Sequence, residues 1–280
     1  RLLEGDYAQL RHLSTRLETI TVEVTRLKNR LRADIATCFP EFTIAFKDVT
    51  GLTAQAILLD GLDPIRIAEL PFNVWVAQVR RLFRGQRLAL SQMRRLQELA
   101  ATTVGYRPIR EAAQLTIRQT LQSLLGFLTQ QEELREALRH TVHHVPGVEW
   151  ALTLPGLGAL SLARILGHIG DPATYRHAKQ LVKLAGIHPV PNTSGRCTHR
   201  RTCMAGQGRA GLRTVLYYTC LHVLQADPAF RRAYERLLQR PGAALTKMQA
   251  IVALMNKLIR VIWTLLRHQL PYDPQRAFAA

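Results

Sequence analysis

The residue of this chain best suited to chemistry is a serine inside a segment that cannot be helical. Ser194 lies in the run PVPNTSG at 189–195, where two prolines and a glycine predict an exposed loop. A serine hydroxyl held beside a phosphodiester can act as a nucleophile if neighbouring arginines lower its pKa and stabilise the oxyanion. The same residue types are also typical of an ordinary turn, in which the serine has no chemical role.

The charge around this serine has a single sign. No acidic residue occurs between Asp171 and Asp227. A solvated surface normally mixes both signs, so a long segment of one sign predicts a polyanionic partner. The lysines and arginines inside the interval are Arg176, Lys179, Lys183, Arg196, Arg200, Arg201, Arg209 and Arg213.

A glycine-rich turn precedes the basic interval. The run LPGLG at 154–158 separates a short predicted helix from a second one, from about Ala159 to Gly167. Glycines at 156 and 158 allow a sharp turn and a close approach to a partner. The second helix begins with free N–H groups, which suit a phosphate oxygen. The pattern is typical of a helix-hairpin-helix that grips a nucleic-acid backbone, or of a plain connection between two packed helices.

Together these two regions define the predicted functional residues. We predict Ser194 as the catalytic nucleophile. The predicted nucleic-acid-binding residues are Gly156, Gly158, Lys179, Lys183, Gly195, Arg196, Arg200, Arg201, Arg209 and Arg213. Four histidines (His140, His143, His144 and His168) lie nearer the middle of the chain, but no spacing links any of them to the serine, so the general base is left unassigned.

The elements that must position these residues are predicted to be helical. Leucine, isoleucine and valine recur in steps of three and four from Leu10 to Leu31, which predicts one long helix with a narrow apolar stripe. Further long helices are expected at 73–102, 109–143 and 245–268. Short helices are expected at 53–59 and 64–69, the latter capped by Asp63. Residues 38–53 are predicted to be a connector with an extended piece at 42–46, and the residues from Pro271 onward a frayed tail.

Composition limits the class of protein. The chain has 280 residues, 47% of them hydrophobic, and a formal net charge of +18. This excess favours nucleic acid as the partner, because no apolar run is expected to reach the length of a membrane span. The four cysteines are too few and too irregular for a disulfide framework, which predicts a reducing cytosol. Cys197, His199 and Cys203 fit no common zinc site, so no metal site is predicted.

Several runs in one order resemble a known family. The segment 154–171, then KQLVKLAGIHP, Ser194-Gly195 and GRAGLRTVLY, resembles the C-terminal domain of insertion-sequence transposases of the one-ten type. The early VTRLKNRLRADI and the late VALMNKLIRVIWTLLRHQLPYDP resemble the same family. The resemblance implies a serine recombinase guided by a structured bridge RNA, with Ser194 as its nucleophile. It also implies a separate RNase H-like domain with a DEDD set of carboxylates that bind Mg²⁺.

Two departures from the family pattern affect these expectations. A glycine usually found shortly after the Ser-Gly pair is His199 here, and the Lys-x-Gly-Asn box is Gly206-Gln207-Gly208-Arg209. The chain also starts at Arg1 inside a predicted helix, which in the family follows the last two DEDD carboxylates. We therefore expect the chain to be a fragment without cofactor sites of its own, and Mg²⁺ to belong to the missing N-terminal domain.

The resemblance divides the predicted all-α chain into three parts. Residues 1–36 form a long helix after a truncated RNase H-like domain, 37–146 a coiled-coil-like assembly region, and 147–280 the serine transposase domain. The expected partners are DNA, a guide RNA and further copies of the chain through 37–146, with no membrane. Two other hypotheses stay open, namely a non-catalytic helix-hairpin-helix protein and a structural helical assembly protein. The chain alone is expected to bind nucleic acid without efficient catalysis.

Overall fold

The computed structural model describes residues 4–82, 87–105, 110–191 and 202–278. Within these residues the chain is almost entirely α-helical and contains one two-stranded sheet, which confirms the predicted all-α fold class. The helices of the first half are α1 Gly5–Cys38, α2 Phe42–Ala45, α3 Leu52–Asp60, α4 Pro64–Glu69, α5 Phe72–Leu82, α6 Leu90–Ala100 and α7 Arg110–Val142. The second half contains α8 Val148–Ala151, α9 Ala159–Ile169, α10 Ala178–Ala185, β1 Pro189–Pro191, β2 Thr202–Met204, α11 Ala210–Ala226, α12 Pro228–Leu238, α13 Lys247–His268 and α14 Pro274–Phe278.

The chain folds into two compact units. One takes in the start of the chain up to Glu18 together with the chain from Glu133 onward, and the other spans Thr19–Glu132. We call the first the hairpin unit, because it contains β1 and β2, and the second the long-helix unit. The predicted domain boundaries at 36/37 and 146/147 stay predictions.

The long-helix unit is built on α1 and α7, which run antiparallel. The side-chain amide of Gln131 donates to Thr21 Oγ1 at 3.0 Å, and Thr120 Oγ1 donates to Asp34 Oδ2 at 3.3 Å. The partner residue on α1 moves toward the end of that helix as the residue on α7 moves toward its start, which is the antiparallel arrangement. Within this unit the buried stripe positions are Ile20, Val24, Leu31, Ile117, Leu121 and Leu124. Leu10, Leu17, Leu138 and Val142, at the other ends of the two helices, are buried in the core of the hairpin unit.

Two local predictions in this unit are wrong. The helix expected at 73–102 is two helices, α5 and α6, and Leu82 and Leu90, expected to face inward, are 50% and 40% exposed. Leu88, in the connection between the two helices, is buried. The Ala89 N–H donates to Thr53 Oγ1 at 3.0 Å, and this bond to α3 holds the residue before α6 outside the helix. The extended piece expected at 42–46 is the single-turn α2. One helical turn lets the rings of Phe42 and Phe46 stack, with centroids 5.3 Å apart.

The hairpin unit is organised around α13. This helix packs against α8, α10, α11 and α12, and α11 also packs against α9. The Thr246 hydroxyl accepts from the Gln249 N–H, and the Gln249 side chain accepts from the Thr246 N–H, so a capping box starts the helix. Met248, predicted to be on the core face, is 56% exposed because it lies in the first turn.

Helix α13 contains a longer apolar run than the sequence analysis expected. Within the described residues α13 is long and apolar enough to cross a membrane, which contradicts the expectation that no run reaches that length. More than half of its apolar window is buried inside the unit, as in the core helix of a water-soluble domain. Its composition is therefore explained by the elements that surround it on several sides.

The C-terminal residues are anchored rather than frayed. The Tyr272 hydroxyl donates to the carboxylate of Asp227, and the Tyr272 N–H donates to Thr153 Oγ1 at 2.7 Å. The ring of Phe278, in α14, contacts the buried Phe230 edge-to-face with centroids 5.0 Å apart. Aromatic side chains that were not recognised as anchors hold this segment to the core.

A glycine sets the distance between α9 and α1. A Cβ added at Gly167 would lie 2.7 Å from the Leu10 carbonyl oxygen and 2.8 Å from Ser14 Oγ. Real Cβ atoms essentially never approach a backbone atom that closely. The two helices can therefore pack at this distance only because position 167 has no side chain.

The same substitution at two helical glycines should have opposite effects. Gly167→Ala should lower the free energy of unfolding by about 1–3 kcal/mol, because the backbones of α1 and α9 must separate. Gly126→Ala, in α7, meets nothing within 4 Å and should raise it by about 0.5–1 kcal/mol through helix propensity. Denaturant unfolding followed by circular dichroism measures both. Equal effects at the two sites would mean that α1 and α9 are not in close contact.

Candidate nucleic-acid interface

A short β-hairpin carries the segment of the predicted nucleophile. β1 pairs antiparallel with β2, with Pro189 opposite Met204 and Pro191 opposite Thr202. The loop predicted at 189–195 is therefore wrong for its first three residues, whose prolines are tolerated because a two-stranded sheet consists of edges. The rest of the predicted site in this segment (Ser194, Gly195, Arg196, Arg200 and Arg201) lies outside the described residues, as do Cys197 and His199.

The base of the hairpin is attached to the end of α10 by backbone contacts. The Ala205 N–H donates to the His188 carbonyl at 3.0 Å, and the Arg209 N–H donates to the Leu184 carbonyl at 2.9 Å. Gly208 adopts a φ of +148°, and a Cβ there would lie 2.6 Å from the Leu184 oxygen. Of the GQGR box, Gly208 is thus the glycine that packing requires, which gives a physical reason for the residue that this chain shares with the family pattern.

Two of the predicted nucleic-acid-binding arginines bind helix ends. Arg209 Nη1 donates to the carbonyl of His168, in the last turn of α9. Arg213 Nη1 donates to the carbonyl of Ala185, the last residue of α10, at 3.1 Å. A cation at a helix C-terminus satisfies orphan carbonyls and complements the helix dipole. Each guanidinium has further N–H donors, so a nucleic-acid contact by Arg209 or Arg213 stays a prediction.

The two predicted lysines occupy a different environment. Lys179 and Lys183 lie one turn apart on α10, and both are exposed. Residues four apart share one face of a helix, so the two ammonium groups form a short cationic row. This row ends where α10 meets the hairpin base at Gly186. Lys179 and Lys183 therefore lie on the helix that comes directly before the hairpin in the chain.

The glycine-rich turn at 154–158 separates α8 from α9, where the sequence predicted a connection. A Cβ at Gly156 would lie 2.7 Å from the His222 carbonyl oxygen, so this glycine permits close packing against the backbone of α11. Gly158 immediately precedes α9, and a Cβ there would meet nothing within 4 Å. Packing against α11 thus explains why a glycine is needed at position 156, without any ligand. At Gly158 no neighbouring atom of the described residues occupies the space in front of the first turn of α9.

An ionic cluster that sequence reasoning missed lies beside the start of α11. Glu18 Oε1 is 3.1 Å from His168 Nε2 and 3.6 Å from Arg164 Nη2. A Cβ at Gly211 would lie 2.6 Å from both Glu18 Oε1 and His168 Cε1, so the cluster touches the backbone of α11. Glu18 is 150 residues from His168, and no local pattern marks such a pair. The imidazole is committed to Glu18, which does not support a role for His168 as a free base.

Burial determines the protonation of this cluster. Desolvation lowers the pKa of His168 below its usual value of 6.5, against the attraction of Glu18. Desolvation likewise lowers the pKa of Arg164, and Glu18 opposes that shift as well. At neutral pH the imidazole is therefore uncharged, and it hydrogen-bonds to the carboxylate when its proton is on Nε2.

The metal site that the resemblance implies belongs to a separate RNase H-like domain. No group of three His, Cys, Asp or Glu side chains among the described residues of this chain is placed to hold a metal ion, so these residues do not fit a DEDD-type Mg²⁺ centre. Of the cysteines, Cys38 and Cys220 are buried free thiols, and burial raises the pKa of Cys220 to about 12. A thiol that resists ionisation behaves as a core residue.

Variants of Arg213 and Lys183 should distinguish an effect on the stability of the fold from an effect on nucleic-acid binding. Arg213→Gln should lower the free energy of unfolding by about 1–3 kcal/mol, because a charge-assisted hydrogen bond to the end of α10 is lost. Lys183→Gln should change it by less than about 0.5 kcal/mol and weaken nucleic-acid binding. Denaturant titration and an equilibrium binding assay measure the two quantities. An Arg213 variant of unchanged stability would contradict the helix-end assignment.

The His168 cluster should make stability depend on pH. Because the pKa of His168 is depressed in the folded state, the unfolded chain binds the proton more readily. The stabilisation is therefore complete above about pH 7 and is lost as the pH falls through 6.5 toward the lower folded pKa. The free energy of unfolding of the wild type, relative to His168→Gln, should decline from pH 7.5 to 5.5. His222→Gln, at an exposed site, should leave the wild-type slope unchanged.

Known proteins match this chain over the region just described. Residues 149–235 match the family model for the transposase IS116/IS110/IS902 family. A pilin gene-inverting protein of Moraxella bovis is 32% identical over 122 residues, which are 43% of this chain and 37% of that protein. An uncharacterized 42 kDa protein of insertion element IS900 from Mycobacterium paratuberculosis is 33% identical over 133 residues, 47% of this chain and 32% of that protein.

A third relative extends the similarity along most of the chain. An uncharacterized 44.8 kDa protein of insertion element IS116 from Streptomyces clavuligerus is 24% identical over 268 residues, 95% of this chain and 65% of that protein. The matches thus span about one third to two thirds of the length of these relatives. Residues 149–235 therefore form a transposase domain of the IS116/IS110/IS902 family type.

Proposed function

We propose that this chain binds DNA and, within a complete transposase, cuts and rejoins it with Ser194 as the nucleophile. The observation that carries this proposal is that the family match at 149–235 encloses the hairpin and the whole acid-free interval. Both are therefore part of the transposase domain rather than an addition to it. The base of the hairpin is hydrogen-bonded to the end of α10, the helix that carries the cationic row of Lys179 and Lys183.

The reaction follows from the chemistry of a hydroxyl and a phosphodiester. Attack of Ser194 Oγ on a backbone phosphorus forms a phosphoserine ester and expels one sugar oxygen, which takes up a proton. Attack on this ester by the hydroxyl of another DNA end restores a phosphodiester and frees the serine. The energy of the broken bond is conserved in the ester, so strand exchange needs no external energy source. Arginines of the basic interval neutralise the charge that develops on the phosphate oxygens.

The remaining partners in this proposal come from the family resemblance. They are a structured guide RNA, further copies of the chain that associate through the helical region, and an RNase H-like domain that supplies Mg²⁺-binding carboxylates. We place the reaction in the bacterial cytoplasm. The charge of +18 supports nucleic-acid binding, since each phosphate contact releases condensed counterions.

Ser194→Ala in the complete enzyme should reduce recombination by at least about a thousandfold, which is the order of loss when a covalent nucleophile is removed. DNA affinity should change by less than about threefold, because serine contributes little to backbone binding. A plasmid recombination assay and an electrophoretic shift measure the two. Thr193→Ala is the matched control, since it removes a hydroxyl from the neighbouring residue.

A suicide DNA substrate tests the covalent step directly. The wild type should form a protein–DNA adduct that maps to Ser194, and the Ser194→Ala variant should form none. Binding without an adduct in the complete wild-type enzyme would favour a non-catalytic binding protein. DNA affinity that does not fall with added salt would favour the structural assembly hypothesis, because phosphate contacts must be salt-sensitive.

A further inference from the structure

A cleft in the hairpin unit lies apart from the hairpin. It has a volume of about 530 Å³ and lies between the start of α10, the second half of α13 and the C-terminal segment with α14. The hairpin follows the opposite end of α10, about 12 Å away along an eight-residue helix. The volume is within the range of pockets that hold small ligands, roughly 300–1,000 Å³.

Cations converge on this cleft without carboxylate partners. Lys257 and Arg260 lie three residues apart on α13, and Lys179 approaches from α10. Among the described residues no ion pair joins any of the three to an acid, and the lining carboxylate Asp273 is 3.5 Å from Arg276. Burial lowers the pKa of Lys257, and the nearby charge of Arg260 lowers it further. Cations that repel one another in a partly buried cleft favour a bound anion.

The cleft also has aromatic walls that the protein holds in place. Trp263 and Tyr272 line it. The Trp263 indole N–H donates to the Pro172 carbonyl at 3.2 Å, and the Tyr272 hydroxyl donates to Asp227. Because both polar groups are already bound within the protein, these side chains can offer the cleft mainly their ring surfaces. Lys257 Nζ also lies 5.3 Å from the centroid of the Phe278 ring, a contact that leaves its positive charge without a counter-ion. Aromatic surface beside cations that have no carboxylate partner suits a ligand that combines a planar base with a phosphate.

We propose that this cleft binds one unstacked nucleotide of a single-stranded nucleic acid. Its phosphate contacts Lys179, Lys257 and Arg260, and its base packs against Trp263. A base inside a duplex is stacked on both sides and cannot enter a cleft of this kind without leaving the helix. Lys183 continues the cationic row from Lys179 toward the hairpin base, so a strand bound in the cleft can extend along α10 toward β1. The inference rests on the proposed nucleic-acid function and adds a second contact to it.

The phosphate contact can be tested by salt dependence with a charge-matched control. Lys257→Gln/Arg260→Gln removes two cleft cations, and Arg232→Gln/Arg236→Gln removes two exposed cations from α12, outside the cleft. Affinity for a fluorescent single-stranded oligonucleotide is measured across salt concentrations. The slope of log affinity against log salt concentration should become shallower by up to about 0.7 in the cleft variant, the value for one lost phosphate contact, and stay unchanged in the control.

The outcomes separate this inference from the proposed function. If the wild type binds and the two double variants have the same slope, the cleft does not contact phosphate, while the proposed function stands. If the wild type does not bind nucleic acid at all, both fail. Circular dichroism of each variant verifies that its helices are intact.

The base contact has its own readout in tryptophan fluorescence. An intact oligonucleotide should quench the emission, an abasic oligonucleotide of the same length should not, and Trp263→Phe should abolish the quenching. Adenosine monophosphate is the probe for a free nucleotide. Quenching by the monophosphate at an affinity equal to that of the oligonucleotide would overturn the strand assignment in favour of a free nucleotide. Equal quenching by the abasic strand would remove the base from the site.

Discussion

The contact between Gly208 and the end of α10 is the constraint on which the predicted site depends. A side chain at Gly208 would collide with the Leu184 carbonyl, and one at Gly186 would lie 2.4 Å from the Gln207 oxygen. The two stretches of backbone therefore touch with no side chain between them. This contact fixes where β2 leaves the helical body and where α11 begins, so it sets the position of both ends of the hairpin segment.

Around that contact, the first turn of α11 gathers the ends of several helices. Arg209 and Arg213 lie four residues apart and bind the C-terminal carbonyls of α9 and α10 respectively. Gly211, between them, packs against Glu18 of α1 and His168 of α9. A turn in a basic, acid-free segment thus holds four helices of the hairpin unit together. Some arginines of the basic interval therefore stabilise the fold by binding helix ends, in addition to the predicted role of the interval in binding a polyanion.

The sequence predicted well whatever depends on neighbours along the chain. The start of α4 follows from the aspartate cap at Asp63, whose side chain accepts backbone N–H groups as expected. The position of α13 follows from its periodicity. Contacts across long distances were not accessible in this way. Glu18 with His168, and Tyr272 with Asp227, join residues 150 and 45 positions apart, and no spacing rule marks either pair.

The candidate site, like the fold, was predicted only where local sequence patterns mark its residues. The basic interval and the glycine-rich turn are visible in the composition, and Lys179 and Lys183 lie on one exposed helix face. The structural uses of Arg209, Arg213 and Gly156 depend on which backbone lies opposite, which local patterns do not contain. The break between α5 and α6 was missed because it depends on a tertiary contact, the hydrogen bond from the Ala89 N–H to Thr53 of α3, which overrides helix propensity.

The pairing of Pro191 with Thr202 has a consequence for the chain that joins them. Paired residues of an antiparallel ladder lie about 5 Å apart, so the chain must leave and return at two neighbouring points. The entropy of closing a flexible loop between two such points grows only with the logarithm of its length, and doubling the length costs about 0.6 kcal/mol. The ladder therefore fixes where this connection starts and stops without fixing how many residues it needs.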